Sequence, residues 1–244
     1  MLSLEGKSGI VFGASGGLGQ SVCEVLTSLK ADCYRVTRFG TNNTPSCDIS
    51  SYEGVSTIFS DYLKSKKQLD FVVNCAGITL GGSVIDTSVE DWNRIINVNL
   101  NGTFYIVKKA AEIFKNQNLK SGAMVLIGSP YGVRFVPNLI GYCVSKSAIS
   151  SLAKGLSVEL AEYGVRVNTL IPGMFPSPMT NEFIANNKYM AQLYDHIPDR
   201  HLGDSRDLAK IIACLLSDEF KHVNGADIVV DGGYLNLLEG GIIR

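Results

Sequence analysis

Tyr142 and Lys146 stand four residues apart in Gly141-Tyr-Cys-Val-Ser-Lys146, ahead of Ile149, Ala153, Leu156 and Leu160. On a helix this spacing sets the phenol and the ammonium on one face, and the apolar stripe turns that face to the core. An ammonium among apolar side chains loses hydration for little return unless it has a partner. Beside a phenol it favours the phenolate and draws the tyrosine pKa below its usual ~10. Such a pair passes a proton near neutral pH. A lysine snorkelling from a helix start to water satisfies the same spacing, so the pair takes its meaning from the rest of the chain.

A second chemical signal is Gly13-Ala-Ser-Gly-Gly-Leu-Gly19, which directly follows an apolar run ending at Phe12. Gln20 to Leu29 then reads as a helix with Val22, Val25, Leu26 and Leu29 on one side. Glycines between a strand and a helix let backbone approach a pyrophosphate, and the helix N-terminus supplies unpaired N–H groups and a positive dipole. Gly13, Ser15, Gly17, Leu18 and Gly19 are therefore candidate nucleotide contacts on a G-x-x-x-G-x-G spacing, with a purely structural turn as the alternative. Thr37 and Arg38 follow the next apolar run. An acidic residue there accepts from a ribose 2′-hydroxyl, whereas arginine pairs with a 2′-phosphate. No carboxylate occupies the position, which favours NADP(H) over NAD(H).

These side chains need a scaffold, and the hydrophobic pattern supplies one. Strand-length apolar bursts at Gly9–Phe12, Cys33–Thr37, Phe71–Val73, Met124–Ile127, Val165–Leu170 and Ile228–Val230 alternate with amphipathic stretches of helix length. Right-handed crossovers between parallel strands imply an α/β fold: an open, doubly wound sheet with helices on both faces and ligands beyond the carboxyl ends of its strands. Thr41-Asn-Asn-Thr-Pro45 is a loop, leaving little room for a helix between the second and third strands. Three prolines within seven residues, Pro172, Pro176 and Pro178, open an irregular stretch, and 174–198 reads as a lid over a pocket or as a plain surface excursion.

The 244 residues, 45% of them hydrophobic, suffice for one large core, and the chain is expected to form a single domain over 1–244. Lys plus Arg number 22 against 23 Asp plus Glu, so no overall charge draws nucleic acid or an anionic membrane. Six scattered cysteines without C-x-x-C spacing argue against a metal site and suit reduced thiols in the cytoplasm. No signal peptide or membrane span is expected.

Together these features resemble the short-chain dehydrogenase/reductase family in its single-domain branch, with a flavour of 3-oxoacyl-acyl carrier protein reductases. Further motifs carry the resemblance: Asn74-Cys-Ala-Gly77 after a fourth strand, Asn97-Val-Asn-Leu-Asn-Gly102 in a long helix, Ile127-Gly-Ser129, Ile171-Pro-Gly173 and Val230-Asp-Gly-Gly233. It implies a catalytic set of Ser129, Tyr142, Lys146 and Asn99, in which Ser129 bonds the substrate oxygen and Asn99 holds a water in a proton relay. It further implies that Asn74, Ala76 and Gly77 line the cofactor, Asp48 and Ile49 contact adenine, Pro172 and Gly173 border the nicotinamide, and Ser177 bonds its carboxamide. From the residues themselves, Asn99 lies on an apolar face where an amide must find partners, while Asp48 also suits a helix cap and Asn74 a brace between strands.

The implied activity is hydride transfer between a nicotinamide, NADPH favoured, and a small-molecule carbonyl or alcohol, with Tyr142 as general acid and base. A catalytically silent NADP(H) sensor on the same fold is the alternative. The substrate wall is expected from Tyr131–Ile140 and Met174–Pro198, with Val133, Phe135, Val136, Phe175 and Phe183 apolar and Arg134 and Lys188 able to meet an anion. Relatives assemble through the helices here expected at Val89–Phe114 and Tyr142–Glu162, which implies a homo-oligomer, a tetramer or dimer. A tail from Leu235 to Arg244 has no assigned role beyond a possible subunit contact.

Overall fold

The six apolar bursts pair as parallel strands: β1 (Ser8–Phe12), β2 (Asp32–Val36), β3 (Phe71–Asn74), β4 (Gly122–Ile127), β5 (Val165–Pro172) and β6 (Asp227–Val230). A computed structural model describes residues 2–41, 44–66, 68–117 and 121–237. The strands lie in the order β2-β1-β3-β4-β5-β6, the doubly wound α/β arrangement expected from the alternation. The helices are α1 (Gly17–Ser28), α2 (Tyr52–Ser65), α3 (Val89–Ile95), α4 (Gly102–Gln117), α5 (Ile140–Glu159), α6 (Asn181–Ile184), α7 (Asn187–His196) and α8 (Ser205–Leu216).

Helices cover both faces, which explains why β3 is buried throughout instead of alternating. On one face Val55, Ile58 and Phe59 of α2, Ile106 and Ala110 of α4, and Ile149 and Ala153 of α5 pack with Ile10, Phe12 and Met124. On the other, Val22 and Leu26 of α1 meet Leu208, Ile212 and Leu216 of α8 over Val11, Val73 and Val125. Each of the Val, Leu, Ile, Phe and Met side chains among them contributes roughly 1.5–3 kcal/mol by leaving water. Helix starts follow their caps: the Ser51 hydroxyl accepts from the Gly54 amide at 3.0 Å and Asp204 from the Arg206 amide at 2.6 Å.

Two expectations change. No third strand follows the loop; among the described residues only a single parallel bridge, Thr37 to Ser46, extends the sheet beyond β2. Thr37 pairs on both sides, its amide to Pro45 O at 3.1 Å and its carbonyl to Cys47 N at 2.8 Å. The Ser51 amide then bonds Asp48 O at 3.0 Å and turns the chain into α2 before a ladder can grow. The long helix expected over Val89–Phe114 is divided: α3 and α4 are joined by a π-helical stretch, Ile96–Asn101, with Asn99 on its inner side. The expected Tyr142–Glu162 helix is α5, closed by a 3₁₀ turn at Ala161–Tyr163.

Candidate active site

The sheet order reverses beside β1, where the segments leaving β1 and β3 diverge and open a crevice. Gly13 sits there at φ 73°, and a Cβ on it would lie 2.6 Å from the Ala76 amide nitrogen. A Cβ on Gly19 would lie 2.1 Å from Gly13 O, so the helix packs onto the turn at a distance only glycine permits. Helix α1 starts at Gly16 with no side-chain cap, which leaves its first amides, including those of Gly17 and Leu18, free of a side-chain acceptor. Ser15 is exposed at the tip while the Leu18 side chain is buried below. A cradle that a Cβ would fill, at an uncapped helix start, fits the pyrophosphate of a dinucleotide.

The other candidates are placed as follows. Arg38 is exposed at the end of β2, its guanidinium 5.3 Å from the Phe39 ring centroid, and the Thr37 hydroxyl accepts from the Gly40 amide at 3.1 Å. Asp48 is exposed and accepts from the Ser50 amide and hydroxyl at 3.0 and 2.7 Å, bonds that hold its carboxyl below the usual range; Ile49 is buried. Asn74 is a brace: its amide group donates to the Thr103 hydroxyl at 2.9 Å and its carbonyl accepts from Ala76 N at 3.1 Å. Pro172 ends β5, and Gly173 N bonds Val230 O at 2.9 Å. Ser177 returns over the glycine turn, where a Cβ on Gly17 would stand 2.8 Å from its own Cβ.

Deeper in the crevice, Ser129, Tyr142, Lys146 and Asn99 converge. Ser129 is buried just beyond β4 and lies near enough to the Tyr142 phenol to draw its titration down. The same hydroxyl accepts from Tyr131 N at 3.2 Å, and the Pro130–Gly132 turn that follows is clamped to α5 by the Ser147 hydroxyl, which donates to Gly132 O. Lys146 is buried, 5.7 Å from the Tyr142 ring centroid, and its ammonium donates to Ile127 O at 2.8 Å. A Cβ on Gly77 would lie 3.3 Å from Asn99 Oδ1 and 3.6 Å from Lys146 Nζ, so Gly77 keeps the space between them open. Asn99 accepts from Ile78 N at 2.8 Å and donates to Ile78 O at 2.9 Å and to the Ser145 hydroxyl at 3.0 Å. Ser145 in turn donates to Tyr142 O at 2.8 Å. Asn97 and Asn101 bond each other toward solvent at 2.8 Å.

The electrostatics of the pair differ from the expectation. Burial pushes the Tyr142 phenol above its ordinary range, with the Ser129 hydrogen bond opposing only part of the shift. Burial also lowers Lys146 to about 8. A sequence spacing shows that two groups are close but not how far each is desolvated, and here desolvation is the largest cause of both shifts, although the Tyr142 side chain keeps part of its surface open to solvent. The sign for stability follows. Holding a buried ammonium costs the fold below pH 8, and that cost fades as pH rises toward the unfolded value of 10.5. Wild type should therefore gain about 3 kcal/mol relative to Lys146→Met between neutral pH and pH 10.5. Urea melts of both proteins across this window check it; a constant difference between the two counts against the buried ammonium.

Sequence reasoning missed Ser145, although a serine on the inner stripe of α5 between Tyr142 and Lys146 was a readable signal. It also missed the C-terminal segment. Tyr234 meets Tyr131 edge-on with centroids 6.4 Å apart and packs with Met190, Leu193 and Ile197 of the 174–198 stretch. The Arg134 guanidinium donates to Leu237 O at 2.5 Å, so its hydrogen bonding is directed to backbone as well as to solvent. Residues 238–244 of the expected tail lie outside the described residues. Phe175 is part-buried and packs against the core beneath α1 and α8. Lys188 is exposed on α7.

The chain resembles known proteins over nearly its whole length. A family model described as enoyl-(acyl carrier protein) reductase matches residues 21–235. An NADP-dependent (R)-specific alcohol dehydrogenase of Lentilactobacillus kefiri is 31% identical over 247 residues, covering 95% of this chain and 97% of its own. A 3-oxoacyl-acyl-carrier-protein reductase of Rickettsia felis is 31% identical over 250 residues, covering 96% and 99%. The crystal structure of a short-chain type dehydrogenase/reductase from Mycobacterium marinum superposes with a TM-score of 0.88 at 27% identity, covering 96% of this chain and 97% of that one.

Proposed function

The chain belongs to the short-chain dehydrogenase/reductase family, NAD(P)-dependent oxidoreductases of alcohol and ketone groups, and from that premise we propose that it reduces a carbonyl with NADPH, Tyr142 donating the proton. The observation that carries the reading is the meeting of the Tyr142 phenol with a buried Ser129 and with a buried Lys146, whose ammonium lies 5.7 Å from the phenol ring centroid. When bound, the coenzyme supplies the hydride at its nicotinamide C4. Ser129 holds the substrate oxygen against the phenol, and Tyr142 gives its proton to that oxygen as negative charge develops. A phenol titrating above its ordinary range keeps its proton at neutral pH, which suits the reducing direction. Lys146 holds the nicotinamide ribose, and Asn99 orders the path by which the phenol is reprotonated.

The remaining residues hold the coenzyme. Gly13, Ser15, Gly17, Leu18 and Gly19 take the pyrophosphate on the uncapped start of α1. Asp48 and Ile49 bound the adenine, Asn74, Ala76 and Gly77 form the crevice wall, and Pro172, Gly173 and Ser177 border the nicotinamide under the 174–198 lid. Thr37 and Arg38 receive the 2′-phosphate, in line with the NADP dependence of the Lentilactobacillus kefiri relative. An exposed guanidinium already stacked on Phe39 is poised for such an anion. A charge-assisted contact of this kind is worth roughly ten- to a hundred-fold in affinity. Fluorescence titration should find NADPH bound that much tighter than NADH, with Arg38→Leu erasing the difference, and a carbonyl panel should then show NADPH consumption. Equal affinities would remove the NADP assignment, and tight binding with no turnover on any carbonyl would remove the enzymatic one.

The setting proposed is the cytoplasm, with the chain in a homo-oligomer. All six cysteines are free thiols, and no helix among the described residues is long and apolar enough to cross a membrane. Val89, Phe104 and Val158 are exposed on α3, α4 and α5, the helices expected to meet a second copy.

A further inference from the structure

Three segments leave the carboxyl edge of the sheet around Ser129 and Tyr142, and each turns large apolar side chains to solvent. After β3, Gly82 N donates to Asn138 O at 2.8 Å, fastening the 78–88 loop to the chain just ahead of Tyr142. On that loop Val84 and Ile85 are 78% and 90% exposed. After β4, the Val133 and Arg134 amides both donate to Pro130 O, at 2.9 and 2.8 Å, so the chain coils tightly beyond Ser129 and presents Val133 and Phe135, 56% and 57% exposed. After β5, Met179 stands 45% exposed on the lid stretch.

Single exposed apolar residues need no explanation, but five on the three segments that leave the same sheet edge beside Ser129 and Tyr142 set apolar surface around one crevice. The polar groups among them are largely turned to one another. The Ser83 hydroxyl donates to Asp86, the Thr87 hydroxyl donates to Ser83 O, and Arg134 donates to Leu237 O. The Ser83 and Thr87 hydroxyls are thus engaged within their own loop, whereas an apolar body laid on the five side chains would leave water on contact.

We propose that the substrate carries a large apolar group next to its reacting carbon, covered by Val84, Ile85, Val133, Phe135 and Met179, and is neither a polyol nor a sugar acid. This rests on the oxidoreductase reading above. The test is a series of methyl ketones from butan-2-one to decan-2-one, with gluconate-type keto acids alongside, following NADPH consumption. The expected result is a rise in kcat/KM of roughly four-fold per added methylene, with the slope flattened in the exposed-site double variant Ile85→Ser, Phe135→Ser. A flat series, or a preference for keto acids, overturns the apolar substrate while leaving the oxidoreductase reading intact. Absence of turnover on every carbonyl, with NADPH demonstrably bound, overturns both. If the patch is instead covered by a second copy of the chain, the double variant changes the oligomeric state in gel filtration and leaves the slope unaltered, which also overturns the proposal.

Discussion

Tyr142→Phe should lower kcat by about three orders of magnitude, within the range general acid catalysis commonly supplies, while the dissociation constant for NADPH shifts by no more than roughly two-fold. The substitution removes one oxygen from a ring that stays packed beside Lys146, so neither α5 nor the Ser129 turn has a reason to move. The fold should hold because that turn is secured elsewhere, by Ser147 donating to Gly132 O and by Tyr131 N bonding Ser129. Only the proton donor is lost. Fluorescence titration with NADPH and initial rates on a saturating ketone separate the two quantities. If kcat stays within ten-fold of wild type, the proton reaches the product from another group and Tyr142 is a packing residue. If binding and rate fall together, the phenol belongs to the coenzyme site and is not the acid.

What the sequence disclosed and what it withheld follow from the range of the interactions involved. The β1–turn–α1 unit was legible because its signals are local: an apolar run, glycines at the turn, and a 3.6-residue stripe through Val22 and Leu26. The inner faces of α5 and α4 were legible for the same reason, with Lys146, Ile149 and Ala153 falling where the period put them. The π-helical stretch at Ile96–Asn101 was not, because one widened turn leaves the order of apolar and polar residues nearly unchanged. The missing third strand depended on where the chain chose to turn, at Asp48, which a count of apolar residues does not reveal. Contacts between distant segments, Tyr131 with Tyr234 and Arg134 with Leu237, leave no periodic trace at all. The titration of Tyr142 reversed for a related reason: spacing predicted proximity to Lys146, but the decisive quantity was desolvation, which is set only once distant parts of the chain meet in the fold.

Asn99→Leu should cost roughly 3–5 kcal/mol of stability, a larger loss than a typical surface or even core substitution. Leucine has the same number and branching of side-chain heavy atoms and is the bulkier of the two, so the substitution leaves no cavity and the expected loss comes chiefly from hydrogen bonds. Three are removed: those from Ile78 N, to Ile78 O and to the Ser145 hydroxyl, at 2.8, 2.9 and 3.0 Å. Asn99 is 1% exposed, so water has poor access to the Ile78 amide and carbonyl left behind. The loss also reaches the reacting groups, because Asn99 holds Ser145, and Ser145 bonds the backbone carbonyl of Tyr142. The chain Ile78–Asn99–Ser145–Tyr142 thus ties the loop after β3 to the start of α5 through the π-helical turn, which gives that unusual turn a physical purpose. For a domain of this size the thermal midpoint should fall by about 10 °C. Ser145→Ala, which removes two of these links but orphans neither group of Ile78, serves as the comparison and should cost less than half as much. If Asn99→Leu melts within about 2 °C of wild type, the amide is not what joins these elements, and its place beside Lys146 would have to be explained by the reaction alone.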